Sequence, residues 1–166
     1  MRTPFLLFSL IALCLAAPGT LAANCAAAPS PGVDWRRCLM DGRDLSGTNL
    51  TGAVLRDASL TRANLKGTTL VRVDARNARF VSAEMGGANL EEAVLLRADL
   101  TRADLKGARL VGTDLRRARF FRADLRGADL TGAQLEGADL LHAMLEGARW
   151  TDGKRICAEG STGECQ

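Results

Sequence analysis

Tyrosine is absent from this chain, histidine occurs once, and aromatic residues make up only 4% of its 166 positions. Ordinary cores lean on large rings, so this one has to be assembled from small aliphatic side chains. The chain also lacks a Cys-x-x-Cys pair, a His-Glu-x-x-His helix and a glycine-rich phosphate loop. Their absence removes the commonest zinc, metalloprotease and nucleotide-binding chemistries. The one histidine, His142, has no serine or cysteine nucleophile near it. Neither charge sign dominates: 22 Lys and Arg stand against 19 Asp and Glu, a net charge of +3. Beyond Ala23 no apolar run is long enough to cross a bilayer. These absences point away from an enzyme, and no cofactor or metal is expected.

What is present begins with an export segment. Arg2 supplies a short positive start, Phe5–Ala17 is an apolar stretch of signal length, and "APGTLAAN" offers small residues for cleavage after Ala22 or Ala23. Residues 1–23 therefore read as a signal peptide, which places the protein in the periplasm or outside the cell. Cleavage removes Arg2 and no acid, so the mature charge is +2. It also removes Cys14, leaving Cys25, Cys38, Cys157 and Cys165, an even number that suits two disulfides in an exported protein.

The dominant signal is a five-residue period. From Leu45 to Trp150 every residue number divisible by five makes 22 sites, and 17 of them are Leu. Two places earlier, from Arg43 to Ala148, 17 of 22 are Ala. An α-helix with 3.6 residues per turn would scatter these leucines around all its sides. A straight strand would alternate them between two faces. A chain that runs straight for a few residues and then turns a corner keeps them together. Each five-residue unit is then one side of a coil, with Leu and Ala pointing in and the other three positions pointing out or forming the corner. Gly47, Gly67, Gly87, Gly107, Gly127 and Gly147 recur every twenty residues, so four sides make a coil. A glycine demanded by positive φ or close stacking is the expected reason for that column.

The tandem units Ala98-Asp99-Leu100, Ala103-Asp104-Leu105, Ala123-Asp124-Leu125, Ala128-Asp129-Leu130 and Ala138-Asp139-Leu140 resemble the pentapeptide-repeat family. The resemblance runs from about Val33 to Trp150. It implies an all-β fold, a right-handed quadrilateral parallel β-helix. Twenty-two units, four to a coil, make about five and a half coils. The expected organisation is a signal peptide over 1–23, an N-terminal cap over 24–40, the β-helix over 41–150 and a C-terminal cap over 151–166. Asp or Asn precedes the central residue in 11 of 22 units. Local bonding to backbone suits those residue types better than metal binding does, and no calcium-loop pattern is present.

The cysteines lie beyond the two ends of the rod. At about 4.8 Å per stacked strand the ends stand roughly 25 Å apart, whereas a disulfide needs Cα atoms within about 7 Å. The expected pairs are therefore Cys25–Cys38 and Cys157–Cys165, stapling caps over otherwise open strand edges. Trp35 and Trp150 are expected to cover the core ends.

If function resides anywhere, it is in the outward residues. The sides centred on Leu55–Leu135 and Leu60–Leu140 carry ten arginines against six acids, the other two six bases against nine acids. Arg97 stacks with Arg117, Arg102 with Arg122 and Arg56 with Arg76, each pair one coil apart, and Phe121 is an outward aromatic between Arg119 and Arg122. A solvated face is the default reading. The functional alternative is an interaction patch of Arg97, Arg102, Arg117, Arg119, Phe121 and Arg122 for an anionic partner. The expected function is a non-enzymatic exported scaffold contacting a protein or an anionic envelope polymer, with no nucleic acid expected. The family resemblance also implies a second reading, a DNA-mimic protector or inhibitor of a type II topoisomerase. That reading needs an acidic cytoplasmic rod, which the charge and the export segment both disfavour.

Overall fold

A computed structural model describes residues 23–166. The expected signal segment, Ala23 apart, lies outside the described residues. From Val33 onward the backbone repeats one local unit every five residues: a single extended bridging residue followed by a two-residue turn. Parallel bridges join residues twenty apart, from Asp34–Val54 through Asp129–Arg149. Four five-residue sides thus close one square coil, and each coil stacks in register on the last.

One repeat shows why the unit is stable. Ala98 N–H donates to the Leu95 carbonyl at 2.9 Å and closes the corner. Asp99 N–H reaches back one coil to the Ala78 carbonyl, also at 2.9 Å. Leu100 and Arg102 N–H reach forward one coil to the Arg119 and Phe121 carbonyls, at 2.8 and 2.9 Å. The fifth amide, Thr101 N–H, has no backbone acceptor and donates to Asp99 Oδ1 at 3.0 Å. All five donors are therefore satisfied, as a buried backbone requires. The same bond recurs at Asp44, Asn49, Asn64, Asn89, Asp104, Asp114, Asp124, Asp129 and Asp139. The acids before each centre are turn locks.

The core is the pair of inward columns. Leu100 is fully buried, as are Phe80 and Phe120 on either side of it in the same column. Each such leucine contributes about 1.5–3 kcal/mol of burial, and only stacking makes that burial possible. Where threonine replaces the inward alanine, its hydroxyl is matched: Thr68 and Thr113 donate to the Leu45 and Leu90 carbonyls at 2.8 Å.

The corners differ from expectation. Left-handed φ is not confined to the glycine column. It occurs at all four corners, and twelve of those residues are not glycine, Arg62, Arg97, Arg102, Arg117 and Arg122 among them at φ 58–59°. The turn demands that conformation whatever the side chain, at about 1–2 kcal/mol for a non-glycine residue, and the stacked hydrogen bonds offset it. A Cβ at Gly47, Gly67, Gly87 or Gly107 would meet nothing within 4 Å. Nothing in the structure explains why that column is uniformly glycine.

The ends are closed differently. The coil register already includes Val33–Trp35 and Cys38–Met40, inside the segment expected as a cap. Trp35 is fully buried. Cys25 and Cys38 sit at disulfide distance, with Cα atoms 5.4 Å apart. At the other end the left-handed corner shifts from Asp152 to Gly153 and the repeat stops. The tail doubles back, pairing Ile156 with Arg149 and Thr162 with Met144 in antiparallel fashion. Cys157 and Cys165 lie 4.8 Å apart. This hairpin caps two of the four sides. Leu135, Ala138 and Leu140 on the other two are only half-buried, as is Trp150.

Candidate functional site

The outward positions obey a simple electrostatic rule. An arginine just after the centre sits on the flat of the side and bends back to the acid two residues earlier. Arg36–Asp34, Arg76–Asp74, Arg116–Asp114 and Arg126–Asp124 are all such pairs, at 2.6–2.8 Å. An arginine at the corner has left-handed φ. Arg37, Arg62, Arg72, Arg97, Arg102, Arg117 and Arg122 are corner residues, and none makes an ion pair among the described residues.

These free guanidinium groups are not spread evenly. The side carrying the ladder Leu39–Ser59–Arg79–Asp99–Arg119–Asp139 is framed by two corners. One edge bears Arg37, Arg97 and Arg117; the other bears Arg62, Arg102 and Arg122. Arg79, on the flat between them, is also unpaired. Only Arg43 and Arg72 among the unpaired arginines lie elsewhere. On this side and its edges eight arginines face four acids: Asp41, Asp57, Asp99 and Asp139. All four acids already accept hydrogen bonds: Asp99 and Asp139 from the Thr101 and Leu141 amides, Asp41 from the Ser59 hydroxyl and the Thr61 amide, and Asp57 from the Asn77 side chain.

The structure thus brings Arg97, Arg102, Arg117 and Arg122 together as two short rows flanking one side. Arg119 lies on the flat and leans toward Asp99, at 3.9 Å. Phe121 is half-buried, with the Arg122 guanidinium 5.1 Å above its ring and His142 edge-on at 5.8 Å. Arg56 and Arg76, which also stack, are not free: both grip Asp74, at 2.6 and 2.7 Å. Sequence reasoning missed Arg37, Arg62 and Arg79 as members of the free set, although their register positions place them on the same side. It also missed the exposed leucines there. Leu39 is 80% exposed and Leu141 56%.

The other sides are electrostatically quiet. On the adjoining side Lys66 pairs with Glu84 and Lys106 with Asp124, and on the opposite side Arg109 pairs with Glu91. Burial opposes ionisation of Asp124, but bonds from Arg126 and Lys106 outweigh it and pull its carboxyl down from 3.8 to about 2. A depressed carboxyl stabilises the fold above its unfolded value and loses that contribution as pH falls through the folded one. Asp124 should therefore contribute on the order of 2 kcal/mol at neutral pH, lost between about pH 4 and about pH 2. Asp124→Asn keeps the turn acceptor and should flatten that part of a stability-against-pH curve measured by urea melts. An unchanged slope would contradict the assignment.

For chemistry the side offers little. The Ser59 hydroxyl is bonded to Asp41 at 2.5 Å, and His142 packs against Phe121 rather than a nucleophile. Among the described residues no cluster of three or more His, Cys, Asp or Glu could hold a metal, and no helix is long and apolar enough to cross a membrane.

A square coil with leucine and alanine columns inside defines a solenoid whose repeat is the scaffold and whose surface is the variable part. The pentapeptide-repeat family model matches in eight copies over residues 38–149, and the chain belongs to that family, whose members fold as right-handed quadrilateral β-helices and are in general non-enzymatic scaffolds. Among solved structures the chain is similar to a trypsin-treated R167E form of QnrB1, a plasmid-mediated fluoroquinolone resistance protein, with TM-score 0.69 and 25% identity. That match covers 72% of this chain and 61% of QnrB1, so the chain spans less than two thirds of that relative's length. Further matches are HetL from the cyanobacterium Nostoc, a pentapeptide repeat protein involved in heterocyst differentiation regulation, and a pentapeptide repeat protein of the Arabidopsis thaliana thylakoid lumen. HetL gives TM-score 0.42 and 31% identity over 74% of each chain. The thylakoid protein gives 0.42 and 25% over 78% of this chain and 85% of its own. No curated protein sequence matches the chain.

Proposed function

We propose that this protein is a non-enzymatic, exported scaffold of about five and a half coils that presents one arginine-framed side to an anionic partner outside the cytoplasm. The observation that carries this reading is the segregation of unpaired arginines onto that side. A solvated face needs no such sorting; on the neighbouring sides most bases are neutralised by an acid. Aligned like charges repel, and a rigid β-helix holds them in two rows whether or not a ligand is present. That prepays the ordering cost of binding a polyanion. The export segment of residues 1–23 and the cysteine staples fit an oxidising compartment. A topoisomerase-directed DNA mimic needs a row of acids where this chain has arginines, so the resistance protein's likeness is read as one of fold.

The test is retention on a heparin column. Wild type should be retained and eluted by salt, as screened charge pairs require. Arg102→Glu/Arg122→Glu should flow through with an unchanged melt. Retention equal to wild type would reject the face as the binding surface.

A further inference from the structure

The arginine-framed side carries a second feature that a soluble polyanion does not explain. Its two ends bear the two most exposed large apolar side chains among the described residues, Leu39 at 80% and Leu141 at 56%. Both lie on the same flat. Leu39 heads the ladder that ends at Asp139, and Leu141 follows Asp139 by two residues in the same unit. Five ladder steps at about 4.8 Å put the two leucines roughly 24 Å apart along the rod. Beside this ladder runs the column Asp41–Thr61–Val81–Thr101–Phe121–Leu141, acidic at its head and apolar at its C-terminal end, with the Arg122 guanidinium over the Phe121 ring.

Outward apolar residues on the other sides, Val54, Val71, Val94, Leu96 and Val111 among them, are half-buried, so Leu39 and Leu141 stand out by their exposure. Two on one side, each beside cations without a partner, form an amphipathic plane. Cations flanking exposed leucines match one chemistry in particular: a layer of phosphate head groups with acyl chains directly beneath. The side is flat and rigid, so its arginines meet that layer together.

We propose that this side lies flat on an anionic lipid bilayer, arginines on the phosphates and Leu39 and Leu141 entering the interface. The inference rests on the reading of the side as anion-binding and adds the identity of the anion. The rod adsorbs peripherally, along its length, with its opposite, charge-paired side turned to water. Each arginine held near an anionic surface strengthens binding about fivefold.

The experiment is co-sedimentation of the purified, disulfide-intact protein with vesicles. One set is phosphatidylcholine alone; the other carries roughly one quarter phosphatidylglycerol, a surface on which basic side chains gain appreciably. Heparin retention is measured on the same samples. Wild type is expected to sediment with the anionic vesicles only, and to be released by salt. Arg102→Glu/Arg122→Glu should weaken that binding at least about 25-fold. Leu39→Ser/Leu141→Ser should weaken vesicle binding about tenfold while leaving heparin retention unchanged. Both leucines are exposed, so the variant should melt as wild type does. Heparin retention without vesicle binding, or a leucine variant that sediments like wild type, overturns the lipid assignment and leaves a soluble polyanion as the partner. Loss of both in wild type overturns the anion-binding reading itself.

Discussion

Leu100→Asp abolishes the cooperative unfolding transition and leaves the protein insoluble or without its β signal in far-ultraviolet circular dichroism. The reason is local. Leu100 is fully buried between Phe80 and Phe120 in one inward column, and the alanines flanking it on the same coil, Ala98 and Ala103, are buried too. A carboxylate there has no basic partner and no water. The lost burial amounts to about 1.5–3 kcal/mol and the unpaired polar group adds several more. Against a total stability of about 5–15 kcal/mol, that is decisive. A solenoid has no alternative core to retreat to, because each coil is buried only by its neighbours. One position earlier, Asp99→Asn should be nearly silent, since the amide oxygen still accepts the Thr101 N–H. Circular dichroism melts of the two variants side by side check the assignment; a soluble Leu100→Asp protein with the wild-type Tm would show that the leucine column is not inside.

Cys157→Ser/Cys165→Ser lowers stability by about 3 kcal/mol, the loop-closure value for a short bridge, and makes the protein aggregate as concentration rises. The structure gives the second effect its cause. The tail hairpin covers only two of the four sides at the C-terminal end, through the Arg149–Ile156 and Met144–Thr162 bridges. Cys157 is buried and its N–H and carbonyl pair with Ala148 and Gly147, both at 2.9 Å. Without the staple this hairpin can peel away. Strand edges and leucines on all four sides then become available, and open edges template intermolecular pairing. Differential scanning calorimetry should show Tm falling by roughly 6–12 °C, from the usual 2–4 °C per kcal/mol at this chain size. Reductant added to the wild type should do the same. A variant whose Tm and solubility match wild type would show that the hairpin holds itself.

The fold was open to reading because the signal was redundant: a period of five that neither helix nor strand accommodates leaves a cornered coil, and the glycine spacing of twenty closes it at four sides. The cysteine pairs followed from the length of the rod alone. The corners were misread. Glycine advertised a left-handed turn at one corner, yet the other three adopt the same φ with arginine, aspartate, asparagine, serine, glutamate or histidine as well as glycine. Backbone hydrogen bonding to the next coil, invisible in composition, imposes it. The candidate side was half legible. Register places Arg97, Arg117, Arg102 and Arg122 in columns, but whether a guanidinium is free depends on where it points. Arg76 and Arg117 look alike in sequence; one bends onto Asp74 and the other, a corner residue, does not. The paired acids explain as much as the arginines do, and their partners are set by the one-residue difference between the flat of a side and its corner.

Site-specific photocrosslinking in intact cells tests most directly whether function resides on that one side. A photoreactive residue at Thr101 lies on the arginine-framed flat; one at Val111 lies on the opposite side, at the same position within its unit. The account predicts that the probe at Thr101 crosslinks to an anionic envelope component and the probe at Val111 does not, and that Arg102→Glu/Arg122→Glu removes the Thr101 product. Equal crosslinking from both positions, or products from Val111 alone, would contradict it.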